Sequence, residues 1–529
     1  MASGMRFLAP DWDGGIAAHP DERYLLGVGV DVPLGANVCL RAPDFPYGTL
    51  PVLLVQLLAR CAPGQDPLYA ARLASALAGV VAVVLAFGLG RELAGARGGV
   101  LAAAVTTLSP FLIQQAHFYT VDPLGMALVS AAALAAVRRR WSLAGALTGL
   151  AVGCKLSLAI AAIPLIAAAV LSRQRQSHPS ARWLADGLGS SPARMVSGAV
   201  ASFLLVSPWS LLTPVACWRG PLIQSLMASG RYEVPYTLQY ARTVPYLYPL
   251  AQMALWGTGI PATALGLWGL VHWLRAGRSL RRALRSPAWG LAVIYLLVVG
   301  GLSVKFPRYM LPLYPVWAAW AAYTVMRTPI FGRGSRSVLT CVTVAAVGAI
   351  GFAQVGIYSQ PHPWVVASQQ IYAGAGPGAV IVNEAWDHPL PVPLPGSDDG
   401  RFLQLVAPVY DIETHEKLML LRDLQAQAEV LVLSSQRGYG ALARRDERFG
   451  QTSAWYAEAL RTRRVEAFAR CPRLGPVAIT DDPLSDAHLD VGLTLAEICG
   501  TRWALRLPRL DESYRVYDAP LTLLLWPRR

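Results

Sequence analysis

The run Leu68-Tyr69-Ala70-Ala71-Arg72-Leu73-Ala74-Ser75-Ala76-Leu77-Ala78-Gly79-Val80-Val81-Ala82-Val83-Val84-Leu85-Ala86-Phe87-Gly88-Leu89-Gly90 decides the fold class. A helix rises 1.5 Å per residue, so about 20 mostly apolar residues cross a bilayer core of about 30 Å, and this run is long enough. Comparable runs recur at 98–116, 121–137, 195–214, 249–274, 287–304, 308–327 and 338–358. The expectation is a polytopic α-helical membrane bundle over residues 68–358. Composition agrees: 54% of residues are hydrophobic and 15% charged, and the mean hydropathy is +0.40. An ordinary soluble enzyme does not read this way.

The net charge is +14, which by itself would admit nucleic acid as a partner. Its placement argues for a membrane and for no nucleic acid. Arg91 with Arg97, Arg138 to Arg140, Arg173 with Arg175, Arg275 through Arg285, and Arg327 through Arg336 fall in alternate gaps between the apolar runs. Basic residues collect in cytoplasmic loops, so these gaps face the cytoplasm and the others face outward. Residues 141–172 are apolar but flanked by arginines at both ends. A single crossing would separate those ends, so a hairpin of two short helices is expected, with Gly153-Cys154-Lys155 at its tip. Lys155 is then the charge that the sequence sets inside the bundle, and it needs a counter-charge or water.

Residues 1–67 read as an outer loop region. Positions 1–44 are rich in Asp, Pro and Gly and look loop-like, and Phe45 to Cys61, broken by Pro46 and Pro51, reads as an interfacial helix. Met1 to Gly15 lacks the apolar core of a signal peptide. From about residue 360 the pattern changes. Ala379–Val382, Val430–Leu433 and Val465–Phe468 read as strands, and 414–428 and 452–462 as amphipathic helices. Residues 359–529 are therefore expected to form an extracytoplasmic α/β domain with a partly parallel sheet. The seven cysteines include no CxxC, which argues against a zinc site. Cys471 with Cys499, or Cys39 with Cys61, can pair in an oxidising compartment. Cys154 and Cys341 read as buried small hydrophobes.

Four polar clusters share the outward side. Asp21 and Glu22 follow His19, with Asp11 and Asp13 close by. Gln114 to Asp122 contains His117. Tyr232 to Tyr248 contains Tyr236, Gln239 and Tyr240. Lys305-Phe306-Pro307-Arg308-Tyr309 stands at the mouth of a run. A carboxylate can take a proton from a hydroxyl, and arginine or lysine can neutralise charge on a departing phosphate. Each residue has a plainer reading too. Neighbouring acids in a loop are usually solvated, Asp122 before Pro123 can be a helix cap, Arg308 can snorkel to lipid headgroups, and interfacial tyrosines form a belt. From the residues alone the result is a membrane enzyme or transporter with an outward polar site.

His19-Pro20-Asp21-Glu22-Arg23-Tyr24 resembles the Asp-Glu motif in the first external loop of the GT-C glycosyltransferases, a superfamily that includes protein O-mannosyltransferases and lipid A aminoarabinose transferases. Gln114 to Asp122, Gly149 to Lys155, Pro235 to Tyr240, and Phe306-Pro307-Arg308-Tyr309-Met310-Leu311-Pro312 are similar to further signatures of bacterial members. Glu384-Ala385-Trp386-Asp387-His388-Pro389 and Asp511-Glu512-Ser513-Tyr514 to Tyr517-Asp518 resemble their tail domain. The resemblance implies an inverting transferase that moves a sugar from a polyprenyl phosphate to a lipid, glycan or protein acceptor hydroxyl, outside the bacterial cytoplasmic membrane. Asp21 would be the base, Asp122 a second acidic residue and Glu22 part of the same catalytic set. Arg308, Lys155, His19, Tyr47, His117, Tyr236, Gln239 and Tyr240 would bind substrate. A divalent Mg²⁺ or Mn²⁺ shared by Asp21, Glu22 and Asp122 is an open option. Family members carry a transmembrane helix ahead of this loop, which the few residues before Asp21 do not supply, so the natural start is expected upstream.

Two other classes compete. A transporter or flippase would carry charges along a path between the faces and show two related halves, and the sequence shows no such halves. A non-catalytic protein presenting its tail as a binding module would tolerate loss of Asp21, Asp122 and Arg308 singly. Phosphoethanolamine-type transfer would want a metal-ligand cluster.

Overall fold

The computed structural model describes residues 1–173, 190–275 and 280–528; the basic position Arg175 lies outside the described residues. Two units emerge: Met1–Pro10, Pro20–Tyr232 and Val244–Gly351 form the first, and Asp11–His19, Glu233–Thr243 and the chain from Phe352 form the second.

The first unit is a helical bundle. The helical segment Pro67–Leu108 is started by Asp66, whose side chain accepts from the Leu68 N–H, and it contains one non-helical residue, Gly95, with φ 81°. There the chain doubles back on itself. A Cβ at Gly90 would lie 2.7 Å from the Gly98 carbonyl oxygen, and one at Gly99 would lie 2.8 Å from the Phe87 carbonyl oxygen. Residues twelve apart in one straight helix would be about 18 Å apart, so these are the facing arms of a hairpin. Glu92 at its tip pairs with Arg138 (2.8 Å). Arg6 donates to the Thr106 carbonyl (2.8 Å) and the Thr107 carbonyl (3.2 Å) at the end of the second arm, where a cation offsets the negative end of the helix.

The other apolar runs are interrupted more often than their hydropathy suggests. Pro67–Leu108 and Arg333–Gly374 meet the length and hydropathy of a membrane span; Leu50–Cys61, Val121–Val137, Trp141–Cys154, Ser191–Val206 and Pro287–Gly300 are shorter apolar helices. Residues 249–274 become Leu247–Gln252, a π turn at Met253–Gly257 and Ile260–Arg275 after a left-handed Gly259. Residues 308–327 open with a 3₁₀ helix, Pro307–Leu313, before Tyr314–Arg327. Segment 141–172 holds the helices Trp141–Cys154 and Ala162–Arg173, with Lys155 in extended backbone between the first helix and a short 3₁₀ turn.

Three expectations are corrected. Positions 1–44 are not loop: Ala2–Arg6, Pro20–Asp31 and Val38–Arg41 are helical. Pro20 opens the second of these with Asp21 and Glu22 in its first turn, a favourable start for a helix. Cys39 pairs with Cys217 and Cys471 with Cys499, so Cys61 is not the partner of Cys39. Cys154 is buried as expected, but Cys341 is exposed.

Among the described residues the second unit holds eight strands: β1 (Val380–Glu384), β2 (Leu403–Ala407), β3 (Val430–Leu433), β4 (Arg464–Phe468), β5 (Arg473–Leu474), β6 (Val477–Thr480), β7 (Trp503–Arg506) and β8 (Thr522–Trp526). The main sheet runs β2-β1-β3-β8-β4, and β5-β6-β7 form a small one. β2, β1 and β3 are parallel, and β8 inserts antiparallel between β3 and β4. Val430 to Leu433 and Thr522 to Trp526 are buried on both faces, as continuous apolar strands in a covered sheet should be. Arg470 gathers chain segments here, donating to the carbonyls of Trp12 (3.1 Å), Ile357 (3.2 Å) and Gln360 (3.0 Å). That is why Asp11–His19 belongs to this unit.

Candidate functional site

Backbone proximity assembles the site in the bundle. Tyr47 precedes Gly48, whose N–H donates to the Cys154 carbonyl (2.9 Å). A side chain at 48 would run into the Gly153 carbonyl oxygen, so only glycine lets this loop touch the turn that carries Lys155. Helix Val121–Val137 reaches the same turn through Gly125, where a Cβ would lie 2.6 Å from Leu158 Cδ1. Asp122, in the first turn of that helix, accepts from Lys155 Nζ at 2.7 Å. The cap position is Thr120, so Asp122 is not the N-cap. Lys155 Nζ also lies 5.0 Å over the Tyr309 ring.

Asp21 accepts from Arg308 Nη1 at 2.8 Å, and the Arg308 guanidinium lies 5.0 Å from the Phe306 ring centre. The Tyr47 hydroxyl donates to Asp21. Burial first, then the Asp21 carboxylate, holds its pKa well above the usual tyrosine value, so it stays a proton donor. The Asp21–Arg308 side chains are 17% and 22% exposed and the Asp122–Lys155 side chains 5% and 15%. Tyr47, Asp122, Lys155, Arg308 and Tyr309 line a cavity of about 840 Å³, whose other walls include Leu156, Trp218 and Leu222. That volume suits a sizeable ligand. Cations with carboxylates at one wall and apolar side chains elsewhere suit a molecule that is anionic at one end and greasy at the other.

Glu22 is placed elsewhere. It is fully buried and takes a bidentate bond from Arg72 (2.9 and 2.7 Å) and one from the Tyr119 N–H (2.7 Å). It positions the helix that presents Asp21. Arg72 was the residue hidden from sequence reading, and its signal was there: an arginine inside an apolar run requires a partner. His117 is buried, with its ring nitrogens 2.8 Å from the Ile113 carbonyl oxygen and 3.0 Å from that of Leu8, so its bonds go to the backbone. His19, Tyr236, Gln239 and Tyr240 lie in the second unit. There the His19 ring lies 4.2 Å from Tyr517, the Gln239 side chain accepts from the Glu512 N–H (3.0 Å) and the Tyr240 hydroxyl donates to Asp511 (3.4 Å). The three acids suggested for a shared divalent ion do not fit one: Asp21, Glu22 and Asp122 each face a different cation. Among the described residues no group of three or more His, Cys, Asp or Glu converges on a metal position.

Residues 53–211 match the family model of the dolichyl-phosphate-mannose-protein mannosyltransferases. The matched segment includes Asp122 and Lys155 with the elements that bring them together. No curated protein matches the sequence. Among solved structures, the chain is similar to ArnT from Cupriavidus metallidurans bound to undecaprenyl phosphate, at 16% identity and a TM-score of 0.47, over 82% of this chain and 92% of that one. It is also similar to the Archaeoglobus fulgidus oligosaccharyltransferase tethered with an acceptor peptide, at 13% identity and a TM-score of 0.42, over 81% of this chain and 66% of that one.

Proposed function

We propose that the chain is an inverting glycosyltransferase that moves a sugar from a polyprenyl phosphate to an acceptor hydroxyl on the outer face of a bacterial cytoplasmic membrane. The observation that carries the proposal is the Asp21–Arg308 pair, 2.8 Å apart, with Arg308 on the wall of a largely apolar cavity beside Lys155. The acceptor oxygen attacks the anomeric carbon, the bond from that carbon to the phosphate oxygen breaks, and the acceptor proton passes to Asp21. Arg308 and Lys155 neutralise the charge that develops on the leaving lipid phosphate. A single displacement inverts the anomeric centre. Tyr47 orients Asp21, and Asp122 orients Lys155. The family match supports a lipid-phosphate sugar donor. Two disulfides support an oxidising, extracytoplasmic location for their segments.

The test is transfer by the Asp21→Asn protein in vesicles loaded with polyprenyl-phosphate sugar. Losing a general base should lower the rate at least ~10²-fold, with the thermal midpoint of unfolding kept as a control. Undiminished transfer would reject the mechanism.

A further inference from the structure

The second unit carries a second polar centre that the bundle chemistry does not use. It sits at the carboxyl ends of β1 and β3. From β1 the chain moves to β2 on one side, while β3 lies on the other side of β1. This reversal is the topological switch point at which open sheets take ligands. The loop after β1 supplies Glu384, Trp386 and Asp387, the loop after β3 supplies Ser435 and Arg437, and the segment before β8 supplies Glu512 and Tyr517. Arg437 ties them together, donating to Glu512 (2.6 Å), the Trp386 carbonyl (3.0 Å) and the Tyr517 hydroxyl (3.1 Å). Asp387 is held by the Ser435 hydroxyl (2.5 Å) and the His388 N–H (2.9 Å).

Three features point to a ligand rather than to a bracing network. Glu384 and Glu512 are 4% and 5% exposed, yet among the described residues the Oε2 atom of each has no hydrogen-bond partner, and neither do the buried Tyr410 hydroxyl and Gln436 amide nitrogen. Buried polar atoms normally find partners. Trp386 stands 58% exposed in a left-handed backbone conformation, φ 66°, which a bulky residue rarely adopts. It adjoins Asp387, whose carboxylate is already oriented.

We propose that this switch point is a saccharide-binding site, with Trp386 stacking on the C–H face of a pyranose ring and Asp387 accepting from its hydroxyls. An aromatic plane beside fixed acceptors matches a polyhydroxylated ring. Three carboxyl groups, Glu384, Asp387 and Glu512, gathered at the Arg437 guanidinium oppose a phosphate. The site does not depend on the transfer reaction assigned to the bundle.

The experiment is saturation-transfer-difference NMR on the full chain in nanodiscs, with mannose, galactose and N-acetylglucosamine as probes. At least one sugar should receive saturation on its ring C–H protons. Its affinity should fall about tenfold or more in Trp386→Ala, recover in Trp386→Tyr, and stay unchanged in Asp21→Asn. Trp386 is on the surface, so the variant is expected to fold, as an unchanged unfolding midpoint would show. The proposal is overturned if none of the three sugars receives saturation, or if binding persists undiminished in Trp386→Ala.

Discussion

Asp21 and Glu22 are neighbours with different surroundings because successive helical residues point about 100° apart. Asp21 meets Arg308, and Glu22 meets Arg72 in the interior. Glu22→Gln leaves the Arg72 charge buried without its carboxylate, so unfolding should be easier by roughly 3–5 kcal/mol. The double change Glu22→Leu with Arg72→Met should restore much of that loss. Thermal unfolding in micelles reads both, and activity per folded molecule should fall less than in Asp21→Asn. In the second unit, burial, opposed by Arg437, pushes the Glu512 carboxyl from 4.5 up to about 7. Between those values the folded unit keeps a proton that the unfolded chain has released, so this residue makes stability fall as pH rises through the window. Glu512→Gln should flatten that part of the curve of unfolding midpoint against pH. The polar types at the bundle site were legible because charges stand out in an apolar sequence. Which acid faced which cation was not, since it depends on helix rotation and on approaches such as Gly48 against Gly153.

Among elements, the Pro67–Leu108 hairpin shows how glycine sets helix spacing. Its arms meet at Gly90, Gly98 and Gly99, and Gly95 supplies the one residue whose backbone reverses the chain. Gly98→Val should force the arms apart and cost about 1–3 kcal/mol, measured as a lower unfolding midpoint. The Arg91 to Arg97 gap announced this turn in the sequence. The helix Pro20–Asp31 was announced too, by proline followed by two acids, but the surrounding Gly, Asp and Pro masked it. β2 and β8 were harder. β8 is five residues long, and its place between β3 and β4 comes from pairing across long stretches of chain, which periodicity does not encode.

For the molecule as a whole, alternation of basic gaps predicts sidedness. In a Cys61→Ser, Cys341→Ser background, Arg231→Cys should react with a membrane-impermeant maleimide on intact cells, and Arg139→Cys only after permeabilisation. The reverse pattern would invert the orientation and remove the proposed site from the outer face. Sequence alone determined the apolar helical character of the bundle, the α/β character of the tail and the charged residue types at the candidate site, because hydropathy, period and charge are local properties of the chain. Tertiary structure alone decided that Arg308 meets Asp21, that Lys155 meets Asp122, that Cys39 meets Cys217, and that Gln239 and Tyr240 bond within the second unit. Partners far apart in sequence are chosen by packing, where glycine contacts and helix rotation fix which side chains share a space.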